Sequence, residues 1–205
     1  MSLLLETIRL DNGVPSLLAL HQERVDRSLR DLFGHAGILN LKNFINPPDE
    51  LRKGTVKCRI LYGKYVEKVE YSVYHINPVK SLQMVEADTI IYDYKYADRT
   101  CLEFLHGLRG DCDDVLIIKN GLVTDTTYAN VAFYDGSCWV TPEKPLLEGV
   151  RRRSYIERGI IYTSRITVGD LKFFSELRLM NAMISLEESP SIPVSCILPI
   201  PVKRN

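Results

Sequence analysis

The sequence predicts a mixed α/β fold of the α+β class, divided into two lobes. Short segments with apolar residues at alternate positions, the period of a half-buried strand, are interleaved with segments repeating at three and four, the period of a helix. The 205 residues, 45% hydrophobic and 25% charged, are enough for one substantial core or two small ones. A proline-bearing stretch of little periodicity, residues 77–83, separates the halves. The expected division is a smaller N-terminal α/β lobe over 1–80 and a C-terminal lobe over 81–205.

In the first lobe, residues 6–10 read as a short strand, Asp11-Asn12-Gly13 as a turn, and the residues to Leu20 as a second strand. A helix follows, with Val25, Leu29, Leu32 and Phe33 on one apolar face and Arg24 at its edge. Beyond the loop at Asn46-Pro-Pro-Asp49, alternation over 55–62 and 66–76 predicts a hairpin turning at Gly63-Lys64.

The second lobe opens with a strand-like 89–93 and then a helix carrying Leu102, Leu105 and Leu108, ending near Gly110. Strands at 115–118 and 122–124 flank Asn120-Gly121, a strong two-residue hairpin signal. A strand pair turns at Asp135-Gly136, residues 141–145 read as irregular, and a helix starts near Gly149. A strand over 161–168, a short helix and an apolar run over 179–184 complete the pattern, with no long-range repeat.

Lys and Arg total 26 and so do Asp and Glu, so no net field attracts nucleic acid or an anionic membrane surface. Neither is expected as a partner. No segment approaches the roughly 18 apolar residues of a membrane span, and the short apolar start lacks the parts of a secretory signal. The five cysteines are odd in number, scattered and without a C-x-x-C pair, and the four histidines have no metal-ligand spacing. These features read as a reduced, cytoplasmic protein without a metal site. No G-x-S-x-G or Walker-type glycine loop is present.

Four blocks then follow one another in a telling order: Lys95-Tyr-Ala-Asp-Arg99; Asp113-Asp-Val-Leu-Ile-Ile-Lys-Asn-Gly-Leu-Val-Thr-Asp-Thr-Thr-Tyr-Ala-Asn130; Thr141-Pro with Leu147-Glu-Gly-Val-Arg-Arg152; and Met180-Asn-Ala-Met183 before Ile192-Pro-Val194. Upstream stand Leu5-Glu-Thr-Ile8 and His21-Gln-Glu-Arg24. In this order they resemble the class IV aminotransferases, with their relative 4-amino-4-deoxychorismate lyase nearest.

The resemblance implies a fold-type IV, D-amino-acid aminotransferase-like enzyme that uses pyridoxal 5'-phosphate and works as a homodimer, with 81–205 as the cofactor-binding lobe. It also implies a shortened N-terminal lobe, because the family's stretch before the Leu5-Glu-Thr-Ile8 strand has no counterpart here. Lys95 corresponds to the lysine that holds the cofactor as a Schiff base. Arg24 corresponds to the arginine that grips the phosphate, together with the main-chain N–H groups of Val150 and Arg151. Asp125 stands where the family has a glutamate opposite the ring nitrogen, one methylene shorter. Asn181 and Ala182 fall in the segment that closes the phosphate site.

The chemistry suits these residue types. A lysine is needed as nucleophile and proton carrier, a carboxylate keeps a pyridine nitrogen protonated, and a phosphate dianion needs a guanidinium and helix-start N–H groups. Asn181 could instead be a strand-end residue bonded to backbone. Lys57 and Arg59 share a strand face and could receive a substrate carboxylate, although a solvated face is the more ordinary reading. Arg99 belongs to the lyase-like block. The expected activity is release of 4-aminobenzoate and pyruvate from 4-amino-4-deoxychorismate. The alternatives are amino-acid transamination, of the branched-chain or D-amino-acid type, and a non-catalytic cofactor-binding or structural dimer.

Overall fold

A computed structural model of the chain describes residues 3–34 and 39–201; His35 and the first two residues of the apolar start lie outside them. The chain forms two compact units. The first comprises Met1–Ile76 and Tyr94–Asp98, the second Asn77–Asp93 and Arg99–Asn205. The break expected near 80 therefore falls at 76/77, and the chain returns to the first unit for five residues that include Lys95.

Among the described residues the first unit is a four-stranded antiparallel sheet with one α-helix and two short 3-10 turns. β1 (Leu4–Asp11), β2 (Val14–Pro15), β3 (Thr55–Tyr62) and β4 (Val66–Val73) lie in the order β2-β1-β3-β4. Alternation places Leu4, Ile8 and Leu10 of β1 with Val56, Cys58, Ile60 and Tyr62 of β3 in the core, packed on Val25 and Leu29 of α1 (Leu18–Phe33). The second strand is only two residues long. Leu17 turns into the left-handed region at φ 55°, and the leucines after it enter α1 instead. The helix ends at Gly34, whose N–H reaches Leu29 and Arg30 carbonyls at φ 71°. Its buried stripe is His21, Arg24, Val25, Ser28 and Leu29, whereas Leu32, expected inside, is 40% exposed. The stripe runs one turn earlier than expected and takes in three polar side chains, His21, Arg24 and Ser28.

The second unit holds two sheets. β5 (Leu82–Glu86) lies between β13 (Ile197–Leu198) and β6 (Asp114–Lys119), parallel to both, and β7 (Leu122–Val123) closes the edge antiparallel to β6. The other sheet runs β10-β9-β8-β11-β12, built from β8 (Asn130–Tyr134), β9 (Trp139–Pro142), β10 (Ile161–Ser164), β11 (Glu176–Met180) and β12 (Ile192–Pro193). Leu82, Met84, Leu116 and Ile118 share one apolar cluster with Val131, Phe133, Leu177 and Leu179. Ala132 and Met180 point the other way, into a smaller cluster with Tyr155 of α3 (Val150–Glu157). α2 (Thr100–His106) follows the return of the chain from the first unit and stops at Gly107, short of the expected Gly110.

Three further expected elements differ. Residues 89–93 form no strand, and the strand of this region is β5. Thr141-Pro142 ends β9 rather than lying in an irregular segment. The strand expected over 161–168 stops at Ser164, and Val168 begins a 3-10 turn. The Asn120-Gly121 hairpin forms as expected, with φ of 51° and 72° at the two residues, as a primed two-residue turn requires. Among the described residues no helix is long and apolar enough to cross a membrane.

Candidate active site

Lys95 is placed by the edge of β1. Leu5 N–H donates to Lys95 O at 2.9 Å, Ala97 N–H to Leu3 O at 2.8 Å, and Tyr96 bridges Leu4. It does not follow an apolar strand, as the sequence suggested, but sits half-buried in a short strand-like return against β1.

The same strand carries Glu6 on its core face, where the helix stripe meets it. Arg24 donates to Glu6 through Nε (2.8 Å to Oε1) and Nη2 (2.7 Å to Oε2), a bidentate pair with Arg24 only 7% exposed. His21 Nδ1 approaches Glu6 Oε2 at 2.5 Å. Burial alone would raise the Glu6 carboxyl, but Arg24 and His21 outweigh it and hold Glu6 at about 2, well below its ordinary 4.5. With Glu6 ionised, Nδ1 of His21 carries the proton. Nε2, also buried, finds no hydrogen-bond partner among the described residues. Burial lowers the His21 pKa against the pull of Glu6, and the nearby charges of Arg24 and Lys95 lower it further. Arg24 is thus a buried, oriented cation rather than a helix-edge charge. Neither Glu6 nor His21 was singled out from sequence, although both stand in the motifs quoted above.

Lys57 and Arg59 lie on the opposite sheet face. The β1–β3 register sets Arg59 beside Thr7 and Lys57 beside Arg9, away from Ile8, Cys58 and Ile60. Arg59 pairs with Glu70 at 3.5 Å and Lys57 stands over the Tyr74 ring at 6.0 Å, both partly in solvent.

In the second unit Asp125 follows β7 and is 5% exposed. Its Oδ1 accepts Asn130 Nδ2 at 2.7 Å and its Oδ2 accepts Leu147 N–H at 3.0 Å. Burial pushes its carboxyl up to about 6, with the Asn130 and Leu147 bonds and the Arg152 charge opposing. Asn130 also donates to Leu147 O at 2.9 Å.

α3 begins at Gly149 with no side-chain cap and no acid in its first turn, so the start of the helix keeps its positive end. Val150 and Arg151 are its first residues, and Arg151 Nη2 donates to Ala182 O at 3.2 Å, which ties the turn at 181–184 to that helix start. Asn181 uses Oδ1 for the N–H groups of Met183 (2.8 Å) and Ile184 (3.0 Å), and its amide nitrogen reaches Tyr128 O at 3.3 Å. Of its two readings, the strand-end residue bonded to backbone describes this geometry. Arg99 Nη2 likewise holds Thr127 O at 2.8 Å. Arg99 and Asn181 therefore grip neighbouring carbonyls of the turn that leads from Asp125 to Asn130.

The donor set fits pyridoxal phosphate. An uncapped helix start suits a dianion, and a carboxyl near 6 can ionise against a protonated pyridine nitrogen. Comparison with known proteins agrees. Residues 106–187 match the amino-transferase class IV family model. An uncharacterised Haemophilus influenzae protein is 37% identical over 185 residues, covering 89% of this chain and 98% of its own. The crystal structure of a candidate 4-amino-4-deoxychorismate lyase from Haemophilus somnus superposes with a TM-score of 0.83 at 31% identity, over 91% of this chain and 98% of that one. A hypothetical aminotransferase from Mycobacterium tuberculosis in its PLP-bound form shares the fold alone, at 16% identity and TM-score 0.71, over 93% and 80% of the two chains. With the ordered blocks, the fold and these likenesses in agreement, the chain belongs to the class IV aminotransferase family of fold-type IV pyridoxal-phosphate enzymes.

Proposed function

We propose that this protein is a cytoplasmic, homodimeric pyridoxal-phosphate lyase that converts 4-amino-4-deoxychorismate into 4-aminobenzoate and pyruvate. The observation that carries the reading is the 31% identity to the Haemophilus somnus candidate lyase across nearly the whole of both chains. The Lys95-x-x-x-Arg99 block supports it, as does a sheet face bearing Arg9, Lys57 and Arg59, which suits a substrate with two carboxylates. Five thiols without a disulfide support a reducing compartment.

Bound pyridoxal phosphate supplies a conjugated ring that accepts the electron pair released beside the substrate amine. Lys95 would hold the cofactor through Nζ, and the same nitrogen would accept and donate a proton beside the substrate. Asp125 keeps the ring nitrogen protonated. Arg24, oriented by Glu6, and the N–H groups of Val150 and Arg151 bind the phosphate, with Asn181 and Ala182 shaping the neighbouring turn. Lys57 and Arg59 receive substrate carboxylate. Arg99 steadies the turn after Asp125 from the end of the lysine block.

The test is direct. Purified protein loaded with cofactor and given 4-amino-4-deoxychorismate releases pyruvate; no release from a fully loaded preparation rejects the lyase. The family's own name favours amino-acid transamination as the second reading. Loss of the visible cofactor band on adding an amino acid, restored by a 2-oxo acid, selects that reading. Sedimentation at micromolar concentration tests the dimer.

A further inference from the structure

The segment from Asp125 to α3 closes on itself. Asn130 Nδ2 donates both to Asp125 Oδ1 (2.7 Å) and to Leu147 O (2.9 Å), and Leu147 N–H returns to Asp125 Oδ2 (3.0 Å). One amide thus joins a buried carboxylate to the loop that leads into α3. Asn130 opens β8 on the same face as Ala132, the face that packs toward α3 through Tyr155. On the far side of that amide lies Gly149, the residue before α3. Its φ of −70° is open to any side chain, yet a Cβ there would overlap Asn130 Oδ1. Glycine is therefore required by contact with Asn130 and not by backbone conformation.

We infer that Asn130 is a positioning residue, seated against Gly149, that sets the separation between the Asp125 carboxylate and the N-terminus of α3, and so gauges the distance from pyridine nitrogen to phosphate in the cofactor. The inference rests on the pyridoxal-phosphate reading above. It assigns a role to two residues outside the set named above as holding the cofactor. A gauge matters only to a ligand that engages both ends at once. Pyridoxal, which lacks the phosphate, needs Asp125 and Lys95 but not α3.

Two measurements on the cofactor-free full-length chain test it. In the first, titration with pyridoxal phosphate and with pyridoxal compares wild type with Asn130→Ser. The phosphate ester loses about tenfold in affinity, as expected for about 1.4 kcal/mol of lost preorganisation, while pyridoxal loses less than about threefold. Equal losses for both ligands, or no loss for either, overturn the gauge.

The second is a double-mutant cycle of Gly149→Ala and Asn130→Ala, read as melting temperature without ligand and as pyridoxal phosphate affinity. Gly149→Ala costs at least about tenfold in affinity with Asn130 present, and less than about threefold in the Asn130→Ala background. Equal costs in both backgrounds overturn the contact. Should Gly149→Ala alone fail to fold, recovery of a folding transition in the double variant supports the contact, and failure to recover one overturns it. Should wild type bind no pyridoxal phosphate, the functional reading and with it the gauge fall, while the melting cycle still decides whether Asn130 makes Gly149 obligatory.

Discussion

Replacing Glu6 by glutamine separates the charge of the buried Glu6–His21–Arg24 network from its shape. The fall of the Glu6 carboxyl from 4.5 to about 2 amounts to about 3 kcal/mol of folding stability at neutral pH. An independent route gives the same size, since leaving one member of a buried ion pair without its partner costs about 3–5 kcal/mol. Arg24 would be that member, buried and now facing a neutral amide. The pH dependence follows from the direction of the shift. A depressed carboxyl contributes its full stability above its unfolded value of about 4.5 and loses it as pH falls through about 2.

Wild type and Glu6→Gln therefore differ most at pH 7 and far less at pH 2.5. Urea denaturation at a series of pH values gives the free energy. Hydrogen exchange of β1 and β3 amides localises the loss to the first unit, because the protein's one tryptophan, Trp139, reports on the second. The melting temperature should fall by about 6–12 °C at pH 7. A loss below about 1 kcal/mol at pH 7, or a difference that persists undiminished at pH 2.5, refutes the reasoning.

Other consequences are simpler to read. Lys95→Ala should abolish the borohydride-reducible visible band, with mass mapping of wild type finding the reduced adduct on Lys95; a surviving band assigns the anchor elsewhere. In the cofactor-free protein the Asp125 carboxyl carbon, followed by carbon NMR, should titrate with a midpoint near 6 and move higher in Asn130→Ala, which removes a bond to the ionised form. Gly121→Ala should cost about 1 kcal/mol, because φ of 72° in the hairpin is strained for a residue with a Cβ, while Asn120→Gly should be close to neutral. Arg59→Gln should raise KM for a carboxylate substrate far more than it lowers kcat; the reverse split would place Arg59 outside substrate binding.

The sequence was most informative where one residue or one period decides the outcome. Asn120-Gly121 could hardly form anything but a primed turn, and the run Val115 to Ile118 could hardly escape burial. It was least informative where partners are distant. β5 begins inside the proline-bearing stretch that reads as a boundary, at Leu82 and Gln83, and Gln83 is held inside by its amide, which reaches the carbonyls of Met84, Leu198 and Pro199, two of them more than 110 residues away. Residues 89–93 show the converse. Ile90 and Tyr92 are buried and Ile91 is 71% exposed, so the strand-like alternation is real, but among the described residues no strand pairs with it. Alternation reports which side chains meet the core; a ladder needs a neighbour as well.

The same distinction governs the candidate site. Lys95, Arg24 and Asp125 could be named from ordered motifs, yet what holds each of them could not. Arg24 lies 18 residues from Glu6, and Asp125 lies 22 from Leu147. Lys95 takes its place from hydrogen bonds to the first residues of β1, the strand that also carries Glu6. This sharing has an electrostatic consequence. Two cations, Arg24 and Lys95, act on His21, and among the described residues one carboxylate, Glu6, contacts it, so protonating His21 would bury a further positive charge among them. Burial and both cations keep the ring neutral, which leaves Glu6 to Arg24 as a full negative charge. A histidine here therefore orients Glu6 without neutralising it, and the strand that positions the lysine also fixes the carboxylate that orients the arginine.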